Sequence, residues 1–316
     1  MIAMPTITRS RFVLTATTVA VGTLLAGCAT PKPAPPAHVS DNAVPNHPAR
    51  VTSIPRPTGP NQLSELPIMA YLLSPAQEAQ LTNATDRLVT TCMRRLGFDY
   101  STPAEPTSSD VDNDPNGYLP DSDPRLAASQ GYRDRSMAKQ ARHGTAGAPM
   151  SQAEVVALVG HDAGAPVNGQ VSVGGCLGSA RRTVAGSADP DIVFGDSTLA
   201  SDIRLDGYTK AQSDSRVTAV FGQWSVCMKA KGFDYASPIA AVDDPRWDVN
   251  HPPSTLEIRT AVADVACKYQ DNVNGVFHAV ETAFEDAAIQ QHLPALQQIT
   301  VARGNALEKA AQTLAR

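Results

Sequence analysis

Apolar residues recur at helical spacing in several separate stretches. Leu81, Ala84, Leu88, Cys92 and Leu96 form one stripe. Ahead of them, Ser74-Pro75-Ala76-Gln77 offers an N-cap, a proline at the first helical position and a capping-box glutamine. Val217, Val220, Phe221, Trp224, Cys227 and Met228 form a second stripe. Ser151-Gln152-Ala153-Glu154 caps a short helix through Val159, and Cys176 to Ala185 is expected to form another, with Leu177, Ala180 and Val184 on one side. Ser254-Thr255-Leu256-Glu257 opens a helix reaching about Tyr269, apolar on two faces: Ile258, Val262, Val265 and Tyr269 on one, Leu256, Ala263 and Cys267 on the other. From about Val276 a long C-terminal helix is expected, with Val273, Phe277, Val280, Phe284 and Ala287 as its inner stripe. Pro294 should kink it, because proline displaces the preceding residue from helical geometry. Beyond it, Leu296, Ile299, Ala306, Ala310 and Leu314 continue a weaker stripe that either packs on its own domain or docks a partner. Residues 101–123 and 236–253, rich in Pro, Asp and Asn, read as loops.

Two of these helices end in the same words. Cys92-Met93-Arg94-Arg95-Leu96-Gly97-Phe98-Asp99-Tyr100-Ser101-Thr102-Pro103 returns as Cys227-Met228-Lys229-Ala230-Lys231-Gly232-Phe233-Asp234-Tyr235-Ala236-Ser237-Pro238, with seven of twelve positions identical. Basic residues fill the last turn, where the helix dipole favours them. Gly97 and Gly232 stand where a helix end needs positive φ, and Phe98 and Phe233 can fold back onto the helix. The shared motif therefore reads as a helix terminator, with ligand binding by the Phe-Asp-Tyr triplets as the sharper alternative. Each copy is followed by one further cysteine, Cys176 and Cys267 respectively. Four cysteines allow three pairings. The repeat selects Cys92–Cys176 and Cys227–Cys267, one staple per half, each contributing roughly 4 kcal/mol in the chain-entropy description. No Cys-x-x-Cys occurs, which argues against a redox catalyst.

The N-terminal region has a different pattern. Arg9 and Arg11 precede a mildly apolar run from Phe12 to Leu25 that ends in Leu25-Ala26-Gly27-Cys28. A basic start and a short apolar run make a signal peptide, and the run is shorter than the ~20 residues of a spanning helix. Its last four residues resemble the lipobox of bacterial lipoproteins, which implies cleavage before Cys28 and lipidation of its sulfur. Ser10 separates the arginines, against a twin-arginine signal. Nine of residues 29–60 are proline, so this stretch reads as an extended spacer. The expected organisation is a signal peptide over 1–27, a lipidated Cys28 and tether over 28–60, a first helical half over 61–210, and a second over 211–316 carrying the long helix.

Composition narrows the function classes. The net charge is −5, and loss of a leader holding Arg9 and Arg11 makes the chain more acidic, against nucleic-acid binding. Few aromatics and abundant alanine favour helix over sheet. The fold expected is mainly α: a helical extracytoplasmic domain of two related, disulfide-stapled halves.

Candidate chemistry is sparse. Asp112, Asp114, Asn116 and Asp123 fall at positions one, three, five and twelve of a calcium-loop pattern, with Gly117 at six. Turn chemistry is the competing explanation, with Asp123 capping a helix from Pro124. His278, Glu281 and Glu285 share a helix face but lack the paired ligand sets of helical metal sites. Gly195-Asp196-Ser197 has the letters of a serine-hydrolase string without its strand-turn-helix setting. Arg125, Arg133, Arg135, Lys139 and Arg142 form a local basic strip, either a solvated face or a contact for an anionic wall polymer or lipid headgroup. Apart from the calcium candidate, no cofactor is expected.

The two Cys-Met-x-x-x-Gly-Phe-Asp-Tyr motifs, Gly174-Gly175-Cys176-Leu177 and Ala263-Asp264-Val265-Ala266-Cys267-Lys268 together resemble a group of secreted lipoproteins of actinobacteria. The resemblance covers roughly residues 64–300, and residues 104–123 depart from it. It implies a lipid-anchored location on the extracytoplasmic face of the cell membrane and this architecture; it implies no activity. The function expected is a non-catalytic binding or scaffolding protein of the cell envelope, its partner an envelope protein or wall polymer. A wall-acting hydrolase is the rival, and a small-solute receptor is disfavoured because such receptors alternate strands and helices.

Overall fold

The computed structural model describes residues 50–101, 123–133, 150–160, 174–186, 197–248 and 251–316. Their regular structure is helical. A 3-10 turn, Pro67–Tyr71, is followed by α1 (Pro75–Arg95), α2 (Pro124–Gln130), α3 (Gln152–Val159), α4 (Gly175–Ala185), α5 (Ser197–Ser213), α6 (Ser215–Ala230), α7 (Pro238–Val242), α8 (Thr255–Asp271) and α9 (Val273–Leu314). The expected caps form. Ser74 and Gln77 make a complete capping box on α1, as do Ser151 and Glu154 on α3. None of these helices is long and apolar enough to cross a membrane.

The repeated motif ends α1 and α6 with the same hydrogen bonds. Phe98 N–H donates to Met93 O and Gly97 N–H to Arg94 O, each at 3.0 Å. Phe233 N–H donates to Met228 O and Gly232 N–H to Lys229 O, again at 3.0 Å. This is the Schellman pattern, and the glycines have φ of +88° and +90°. The constant spacing of Met, Gly and Phe follows: methionine and phenylalanine are the two ends of the longer bond, and each phenylalanine packs beside its buried methionine's cluster. Both disulfides form as expected, Cys92–Cys176 and Cys227–Cys267, with Cα atoms 5.7 and 5.8 Å apart.

The long helix α9 organises the packing. Its first part, with Phe277, Val280, Phe284 and Ile289, enters a large core shared with α5, α6 and α8. Its last part, with Ala306 and Ala310, packs against Leu81 and Ala84 of α1 and Val184 of α4. The distal stripe is thus buried within the chain. The helix runs through Pro294 to Leu314 without a break. A third cluster holds Val89, Met93, Ala157, Cys176 and Ala180 around the first disulfide.

Several elements differ from the sequence pattern. The helix α5 was not expected; its inner face, Ala200, Ile203, Gly207 and Ala211, includes a glycine and two alanines that let it approach α9 closely. Ser237 caps the short helix α7 inside a stretch read as loop. In α8 the two apolar faces are not both buried: Leu256 and Val262 are 42% and 43% exposed, while Glu257, Asp264 and Lys268 face inward. Part of the supposed spacer is docked. Val51 packs on the large core, and Pro55 O accepts a hydrogen bond from Asn272 at 3.0 Å.

Candidate functional site

A cleft of about 290 Å³ opens where α2, α8 and the turn after α7 meet. Its floor is Glu257, whose N–H is capped by Ser254 Oγ at 3.1 Å and whose carboxylate turns toward the end of α2. Glu257 Oε1 accepts the Tyr132 N–H at 3.3 Å and pairs with Arg133 Nε at 3.5 Å. Gly131, at φ +65°, makes this approach possible, because a Cβ there would press into the Glu257 side chain. Arg133 Nη2 also donates to Asp248 O at 2.5 Å, tying α2 to the loop after α7.

One wall comes from that loop. Asp244 Oδ1 accepts the Arg246 N–H at 2.9 Å, an Asx-type turn, and Arg246 returns over the same carboxylate, with Nη2 2.5 Å from Oδ2. Tyr235, from the second copy of the repeated motif, donates its hydroxyl to Asp244 Oδ2 at 2.7 Å and accepts from Arg246 Nη2 at 2.7 Å. The Arg246 guanidinium holds the Asp244 carboxyl well below the usual carboxylate range. Burial first, then the bond to Asp244, pushes the Tyr235 phenol up to about 12. Trp247 completes the wall: its indole N–H donates to Ala241 O at 2.7 Å, its ring stacks on Tyr132 at 5.8 Å, and Arg246 lies 5.4 Å from its centroid.

Beneath the cleft lies a buried polar cluster. Asp264 accepts from Trp224 Nε1 at 2.9 Å and pairs with Lys268 Nζ at 2.7 Å, one helical turn on. Both partners are almost completely enclosed. Burial drives the Asp264 carboxyl upward, opposed by Lys268, Trp224 and Tyr132. Tyr132 therefore links cleft wall and buried pair. Chemically, the cleft offers fixed charges and an aromatic wall, with Asp244 and Tyr235 both settled in one protonation state around neutral pH.

The residues singled out from sequence are distributed as follows. Asp123 caps α2 by accepting the Arg125 N–H at 2.8 Å. Asp112, Asp114 and Asn116 lie outside the described residues, as do Cys28, Arg135, Lys139, Arg142, Gly195 and Asp196. Of the strip's two described residues, Arg125 and Arg133, Arg133 lines the cleft. His278, Glu281 and Glu285 are buried along α9, with His278 Nε2 2.9 Å from Ser64 O. Among the described residues no group of three or more His, Cys, Asp or Glu is placed to hold a metal. Of the Phe-Asp-Tyr triplets, the second contributes Tyr235 to the ion-pair network behind the cleft wall. The remaining cleft residues escaped the sequence pattern. Their visible signals were the Asp264–Lys268 pair at i,i+4 and the Asp244-Pro245-Arg246 turn. No protein family, curated protein or solved structure matches the chain.

Proposed function

We propose that this protein is a lipid-anchored component of the cell envelope that binds or scaffolds rather than catalyses, held through Cys28 to the extracytoplasmic face of the membrane. The observation that carries the non-catalytic reading is the state of the cleft's ionisable groups. Asp244 is locked to Arg246, Tyr235 is held far above neutrality, and Glu257 is committed to Tyr132 and Arg133. A general acid–base pair needs groups poised near the working pH. Asp244 and Tyr235 are not so poised, and together with Arg246 and Trp247 they build a charged and aromatic surface suited to recognition. The export reading is supported by the leader ending at Cys28 and by two disulfides, which persist in oxidising compartments.

Crosslinking of the native protein in intact cells, read by mass spectrometry with a Cys28→Ala control, tests this. A reproducible envelope partner that disappears in the control is expected. Recovery of nothing above background, together with hydrolysis of wall fragments by the purified chain, would overturn the binding reading.

A further inference from the structure

The chain from residue 50 to residue 72 lies along α9 and is held at successive points. Pro55 O is bonded to Asn272, Ser64 O to His278, Ile68 N–H to Glu285, and Ala70 O and Leu72 O to Arg303. Strap and helix therefore run in the same direction. Between these points Leu66 and Ile68 are buried in the large core.

The contact at Glu285 is unlike the others. Its side chain is 0% exposed. One oxygen, Oε2, accepts the Ile68 N–H at 3.1 Å, while Oε1 is enclosed with no hydrogen-bond partner among the described residues. An ionised carboxylate with a desolvated, unpartnered oxygen is strongly disfavoured, and the neutral carboxyl costs far less to bury here. Glu281, also buried, precedes it by one turn, and Gly207 of α5 packs against both side chains.

We propose that residues 50–72 form a strap latched to α9 by the protonated side chain of Glu285, and that the strap opens more readily as pH rises. The charged groups around the latch are Arg204 from α5 and Glu281 and Asp286 from α9, with Tyr208 of α5 facing Glu281; the strap itself contributes the Ile68 amide. Burial pushes the Glu285 carboxyl up to about 8, with the Ile68 N–H and Arg204 pulling the other way. With the strap open, water reaches Glu285 and its carboxyl returns toward the ordinary value near ~4.3. Between that value and about 8 the docked form holds a proton that the open form releases, so opening increases with pH, by up to roughly tenfold per unit. Above about 8 both forms are ionised and the dependence levels off. His278 acts at the other extreme: burial lowers its pKa, so acidification loosens its end of the strap. In the anchored protein, and resting on that reading, release of these residues would lengthen the tether by roughly 70 Å at full extension.

Hydrogen exchange of the Ile68, Met69 and Leu72 amides in the full chain, corrected for the intrinsic pH dependence of exchange, tests the latch without using the anchor. In the wild type, opening should rise several-fold per pH unit from pH 6.5 to 8 and then flatten, while amides of α6 stay unchanged. Glu285→Gln keeps an acceptor for Ile68 N–H but cannot ionise, and should show no such rise. A flat wild-type profile overturns the proposal, whether or not the variant folds. So does a rise shared equally by Glu285→Gln or by the α6 amides.

Discussion

The two stapled helix ends share one cap geometry in two different surroundings. Around Cys92–Cys176 the buried side chains are apolar and small in number: Val89, Met93, Ala157 and Ala180. Around Cys227–Cys267 the large core closes over a Trp224–Asp264–Lys268 network. The partner helices also differ. The first disulfide joins the end of α1 to the start of α4, and Val184 at the far end of α4 meets Leu81 and Ala84, so these helices run antiparallel. In the second half Trp224 and Cys227 of α6 meet Asp264 and Cys267 of α8 in the same order, so there the pairing runs parallel. The repeat thus encodes a stop and a staple; what packs around each is set by the rest of each half.

The largest effect should come from breaking the buried ion pair, which among the described residues lies beside the second staple and not the first. Asp264→Ala removes the carboxylate beside the buried Lys268 ammonium and should cost about 3–5 kcal/mol in denaturant unfolding. Combining it with Lys268→Met should recover part of that loss, and a double variant worse than the single would show that the pair is not the source. Next come the staples. Replacing both cysteines of either disulfide by serine should cost about 4 kcal/mol, less any native strain relieved. The first pair should also lose amide protection in α3 and α4, whereas Trp224–Asp264 still joins α6 to α8 when the second pair is gone. Equal loss of protection in both halves would erase the contrast. The smallest effect tests the likeness. A Cβ at Gly97 or Gly232 meets nothing within 4 Å, so alanine there pays only the positive-φ cost, about 1–2 kcal/mol. The two values should agree closely, and a clear inequality would mean that the caps are not energetically equivalent.

The caps and disulfides were legible because both obey local rules: Ser-Pro-x-Gln opens a helix, Lys/Arg-rich turns followed by Gly-Phe close one, and a repeat orders the cysteines. The inner face of α8 was not, because its buried positions carry charge. Glu257 and Lys268 look like solvent-facing residues until Tyr132, Arg133 and Asp264 are placed beside them by the fold. Helix α5 was hidden for another reason. Its contact face relies on Gly207 and Ala211, which contribute little hydrophobic signal, while Leu205, the kind of residue a periodicity search weights heavily, is exposed. The cleft assembles from three separate stretches, so its shape existed nowhere in the linear pattern. The contacts of Val51, Pro55 and Arg56 leave no mark in the sequence, because proline content reads the same whether an extended chain is free or docked.

The strap's docking has an evolutionary consequence. On its side, the contacts to Asn272, His278, Glu285 and Arg303 are made by main-chain atoms, the carbonyls of Pro55, Ser64, Ala70 and Leu72 and the amide of Ile68. Its anchoring side chains are Leu66 and Ile68 in the core, Val51, Met69, Tyr71 and Leu72 packed against it, and Arg56 on Gln270 O; the main-chain bonds themselves do not depend on side-chain identity. Selection would act instead on Asn272 and on His278, Glu285 and Arg303 of α9, more than two hundred positions downstream. Two descendants of this protein could therefore share the docked strap while retaining little resemblance to each other across it.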